Sequence, residues 1–111
     1  METTITLEFI TDTKHYLKVL EHRLKHIHGV EVNLVEPHDH TVPALVGISI
    51  DEKAEDAAHN VAQTLYSFLR EEESTQGQKK IFLVTKEGDR IEIEKLSVDE
   101  IKQIIVVAQE G

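Results

Sequence analysis

Lys80-Ile-Phe-Leu-Val-Thr-Lys-Glu-Gly-Asp-Arg-Ile-Glu-Ile-Glu94 is the stretch whose reading decides the fold. Two runs rich in β-branched and aromatic residues flank Glu87-Gly88-Asp89, where glycine supplies the positive φ of a tight turn, so the segment predicts a β-hairpin. Its strands differ in kind. Ile91-Glu92-Ile93-Glu94 alternates apolar with acidic, whereas Ile81-Phe82-Leu83-Val84 is apolar on both faces. Side chains alternate across a strand, so one apolar pair faces the core and the other faces away. A two-residue turn puts Phe82 and Val84 in the core with Ile91 and Ile93. A three-residue turn with a bulge reverses this and buries Ile81 and Leu83.

Upstream, Ile5, Leu7 and Phe9 alternate with Thr4, Thr6 and Glu8, the pattern of a half-buried strand. Thr11 or Asp12 offers an N-cap, and Leu17, Leu20, Leu24 and Ile27 fall on one stripe of a helix reaching about His28, with Gly29 as its stop. Val30, Val32 and Leu34 form a second strand ending at Pro37. This β-α-β unit predicts two parallel strands joined by the helix.

After a loop over Pro37 to Pro43, Ser49-Ile-Asp-Glu52 reads as a capping box that opens a helix. Ala54, Ala57, Ala58, Val61, Ala62, Leu65, Phe68 and Leu69 give that helix its apolar stripe. The polar stretch at about 71–80 reads as a mobile connection to the hairpin. A second capping box, Ser97-Val-Asp-Glu100, leads into Ile101, Ile104, Ile105 and Ala108, although the β-branched run 104–107 also suits a strand. The expectation is a single α+β domain over 1–111. It is a two-layer α/β sandwich in the order β-α-β-α-β-β-α, with a four-stranded mixed sheet and helices mainly on one face.

Composition narrows the function. At 111 residues the chain can bury roughly 65% of its unfolded surface without staples. It has no cysteine, which removes disulfides, thiolate zinc sites and cysteine nucleophiles and fits a cytoplasmic location. No apolar run approaches a membrane span, and Met1-Glu-Thr-Thr carries no basic leader, so no membrane partner is expected. Twelve basic against 21 acidic residues give a net charge of −9, which repels phosphate backbones. The best candidate for a basic patch is Lys14, Lys18, Arg23 and Lys25 with the neighbouring histidines, and without a second basic element or interleaved aromatics no nucleic-acid partner is expected.

Chemistry has few footholds. No Gly-x-Ser-x-Gly elbow occurs, and the five glycines stand alone. The carboxylates lie on outer faces and helix starts, so neither catalysis nor a cofactor is expected. Seven histidines are the exception. His15, His22 and His26 share a helical face, and the i,i+4 spacing of His22 and His26 is one at which two imidazoles grip a divalent metal. His28, His38 and His40 lie close in sequence and could complete such a site. Arg23, however, stands where a zincin has its general-base glutamate. Histidine-based metal binding or metal-responsive regulation is thus the alternative function.

The leading reading is a non-catalytic protein-interaction module, self-associating or bound to a partner protein. It would act through the surplus apolar side chains among Ile81, Phe82, Leu83 and Val84 and through Val106 and Val107, which fall off the core stripe of the last helix. The hairpin segment Ile81 to Ile93, the Ser97-Val-Asp-Glu-Ile-Lys-Gln-Ile-Ile helix and the opening Thr-Ile-Thr-Leu-Glu-Phe strand together resemble the effector-associated constant component proteins of bacterial conflict and signalling systems. That resemblance implies a non-enzymatic adaptor beside a protease, NTPase or other effector, with no catalytic residues to carry over.

Overall fold

The computed structural model describes residues 2–11, 14–35, 44–51, 53–54, 56–71, 79–85 and 87–110. Among the described residues, five strands and three helices follow one another: β1 (Glu2–Thr11), α1 (Lys14–Lys25), β2 (Val30–Val35), β3 (Ala44–Asp51), α2 (Ala57–Arg70), β4 (Lys79–Val84), β5 (Arg90–Glu92) and α3 (Val98–Glu110). The strands form one sheet in the order β2-β3-β1-β4-β5, and every neighbouring pair is antiparallel. The α+β class and the two layers are as expected. The four-stranded mixed sheet is corrected to five antiparallel strands in the order β-α-β-β-α-β-β-α.

β3 accounts for that difference. Its residues obey the period of two, with Ala44, Val46, Ile48 and Ile50 buried and Leu45 and Asp51 exposed. Ser49 therefore sits mid-strand, opposite Thr4 and Glu31, and opens no helix. The following helix begins at Ala57, after Asp56 at its N-cap. Because β3 lies between β1 and β2, those two strands run in the same direction without pairing. The parallel pair expected from the β-α-β pattern is replaced by a split one.

Register builds the core row by row. Leu34, Val46, Leu7, Leu83 and Ile91 stand side by side across all five strands, and Ala44, Phe9 and Ile81 make the next row. The helices lie over this face. α1 contributes Tyr16, Leu17, Leu20 and Leu24, α2 contributes Ala57 through Phe68, and α3 contributes Ile101 and Ile105. α2 also packs against α3. Phe68 of α2 touches both other units, with its ring edge-on to Phe9 of β1 at 5.6 Å and to Tyr16 of α1 at 6.3 Å.

α1 ends at Lys25, short of His28, and a turn closed by Gly29 (φ 83°) returns the chain to β2. The Asp51 amide also donates to the Gly29 carbonyl at 2.9 Å, tying this turn to the end of β3. The 71–80 connection falls largely outside the described residues, and Lys79 and Lys80 already belong to β4. The 98–110 segment is helical throughout despite its β-branched run. Its start is a reciprocal capping box, in which the Glu100 amide donates to Ser97 Oγ and the Ser97 amide donates to Glu100 Oε1, each at 3.2 Å. Ser97→Ala should cost about 1 kcal/mol of stability, measured as a lower urea midpoint at unchanged slope.

Candidate interaction surface

The hairpin turn determines which apolar pair leaves the core. Val84 pairs with Arg90 in the ladder, and beyond that pair the Thr85 amide donates to the Asp89 carbonyl at 2.9 Å. The Gly88 amide closes the turn on Thr85, and Gly88 adopts φ 90°. Three residues thus separate Thr85 from Asp89. Of the two parities open to the sequence, this one buries Ile81 and Leu83 completely beside Ile93. Ile81 and Leu83 are therefore core residues and not part of any surface. Phe82 and Val84 are half-buried on the opposite side of the sheet.

Among the described residues, that outer face carries no helix. Register lays it out in two rows: Asn33, Gly47, Thr6, Val84 and Arg90, then Leu45, Glu8, Phe82 and Glu92. Leu45 is 40% exposed, one of two large hydrophobic side chains described as exposed. Phe82 lies beneath the Arg90 guanidinium, 4.4 Å from ring centroid to Cζ, and Arg90 reaches on to Glu8 Oε2 at 2.7 Å. Glu8 and Arg90 stand on β1 and β5, so their ion pair arches over β4 between them. The result is a ridge over β4, built from Phe82, Val84 and the arch. On the other side of β1, Gly47 leaves a trough in β3. A Cβ placed on Gly47 would meet Asn33 at 3.6 and 3.8 Å, ordinary contact distances, and no other described atom within 4 Å.

The remaining candidates separate. Val107 is the other exposed hydrophobic, at 55%, and with Ile104, Leu83, Val84, Ile91 and Thr4 it borders a cleft of about 350 Å³ between α3 and the ends of β1, β4 and β5. Val106 is partly buried against the core. His22 and His26 stand together on the exposed side of α1, rings 4.3 Å apart, and His26 Nδ1 lies 2.8 Å from the His22 carbonyl oxygen. With His28, Asn60, Gln63 and Thr64 they border a hollow of about 580 Å³ between α1 and α2. Arg23 beside them is paired with Glu71. His38 and His40 lie outside the described residues. Among the described residues no three histidine, aspartate or glutamate side chains form a group that could hold a metal ion. No described helix is long and apolar enough to cross a membrane.

Leu45 and Gly47 escape the sequence reading because they belong to the strand it overlooked. The signal that finds them is the alternation of Val46, Ile48 and Ile50, which places 45, 47 and 49 on the opposite face. Comparison with known proteins adds no further identification: no family model, no curated protein and no solved structure matches the chain.

Proposed function

We propose that the chain is a non-catalytic protein-interaction module that works through the outer face of its sheet. One observation carries this reading. The three described helices lie on one face, while the other bears exposed Leu45 on one side of β1 and half-buried Phe82 and Val84 on the other. A two-layer domain ordinarily turns a polar face to water, and clustered apolar side chains on such a face mark a contact site. Glu8 stands between Leu45 and Phe82 on β1, and Arg90 and Glu92 flank Val84 and Phe82 on β5, so charge and apolar surface are interleaved across the face. An adaptor role follows from such a surface without requiring catalytic groups.

The lack of native cysteine makes the test clean, since Leu45→Cys introduces a single thiol. Its maleimide labelling should be at least tenfold slower inside cells producing the protein than in dilute purified material. A Lys102→Cys control on the exposed side of α3 should label at similar rates in both settings. Equal rates for Leu45→Cys in both would remove the outer face as an interface.

A further inference from the structure

We infer that the occupant of the outer face is a second copy of this chain, docked face to face about a twofold axis running along β1. This rests on reading that face as an interface and adds its partner and geometry. β1 is the middle strand of five, with two strands on either side. A twofold axis lying along it exchanges β3 with β4 and β2 with β5. Thr6 has Gly47 as its partner on β3 and Val84 as its partner on β4. Glu8 has Leu45 on β3 and Phe82 on β4. The operation therefore sets the Val84 of each copy over the Gly47 of the other, and each Leu45 against the other copy's Phe82. Ridge enters trough twice, the self-matching arrangement an isologous interface requires.

Charge follows the same exchange. Glu8 faces its twin across the axis, but each carboxylate leans over its own β4 to meet Arg90, and the twofold sends the two in opposite directions. Arg90 stands on β5 with its side chain about half exposed (49%), and its guanidinium, held over β4 by Phe82 and Glu8, faces β3 of the other copy beside Leu45. The area suffices as well. Strands of 10, 6, 8, 6 and 3 residues at about 3.3 Å per residue and about 4.8 Å spacing give a face of roughly 500 Å² per copy. Two such faces bury roughly 1,000 Å², the least a specific interface needs. Face-packed sheets sit about 10 Å apart, a gap that side chains of this size fill.

Gly47→Val provides the decisive variant. The added side chain is tolerated within one copy, because Gly47 has no positive φ and its Cβ meets only ordinary contacts. In the dimer it fills the trough that receives Val84. Light scattering and sedimentation equilibrium should show a wild-type dimer, with the Gly47→Val dissociation constant raised at least tenfold and Tm measured at dilute concentration unchanged or higher. Bifunctional maleimide cross-linking should join Leu45→Cys chains to Phe82→Cys chains when the two are mixed, and should leave Leu45→Cys chains alone uncoupled. A wild-type monomer up to millimolar concentration, a dimer indifferent to Gly47→Val, or efficient coupling of Leu45→Cys to itself would each overturn the proposal. If the purified chain is monomeric while the Leu45→Cys thiol is still protected in cells, the second copy is excluded and the interface reading survives. If protection is absent too, both fall.

Discussion

Phe68→Ala should destabilise the domain by about 3–5 kcal/mol, the range for emptying a fully buried aromatic site. Phe68 has no exposed surface and is the ring at which the sheet, α1 and α2 meet through Phe9 and Tyr16. Edge-to-face aromatic pairs contribute about 0.5–1.5 kcal/mol beyond area burial, and alanine removes two of them at once. A domain of this size has about 5–15 kcal/mol in total, so the variant should approach half-unfolding under mild conditions. The measurement is the urea midpoint together with near-ultraviolet circular dichroism of the tyrosines. Phe68→Leu, which keeps most of the volume, should cost less than half as much. Equal losses for leucine and alanine would show that the ring geometry, rather than the filled space, is what matters here.

Gly29→Ala should cost about 3 kcal/mol and lower Tm by roughly 10 °C. Two effects add at this position. The backbone has φ 83°, where an L side chain costs about 1–2 kcal/mol. The new Cβ also lands well inside contact distance of the Ala54 Cβ, which cannot swing aside. Gly88 separates the two effects. It shares the positive φ, at 90°, but nothing lies within 4 Å of its would-be Cβ, so Gly88→Ala should show the conformational cost alone. Pairing Gly29→Ala with Ala54→Gly should recover the steric part, which a double-mutant cycle would read as coupling between the two positions. Absence of coupling would mean that the turn shifts instead of clashing.

Much of this architecture is legible in the chain where periodicity is clean. The alternation of Ile5, Leu7 and Phe9, the stripe Leu17, Leu20 and Leu24, the Ser97 to Glu100 cap and the hairpin all take the form that their patterns predict. β3 is harder because Gly47 and Ser49 interrupt an apolar run, and Ser49 with Glu52 mimics a helix cap. Nothing local distinguishes a serine that caps a helix from one on the outer face of a strand. The distinction comes from the pairing of Ser49 with Thr4 and Glu31, both remote in sequence. One overlooked strand then misplaces its neighbours, since β1 and β2 look adjacent only if β3 is absent. Phe82 and Val84 could be named as candidates from composition. Their relation to Leu45 and Gly47 could not, because it exists only through the register of β1 with two different strands.

The central position of β1 also governs the order of events as the chain emerges and folds. This strand is made first among the described elements, yet its two ladders tie Glu2 to Asp51 and Thr11 to Lys79. Neither ladder can close until a long intervening loop has paid its closure entropy, and the second must wait for β4. Until then Ile5, Leu7 and Phe9 have no sheet to join, and the nascent chain offers an unsatisfied apolar strand to other molecules. Folding is accordingly expected to be slow for a domain of this length and to complete in one cooperative step. A chain truncated before Lys79 should stay open or aggregate rather than form a smaller stable version of the fold.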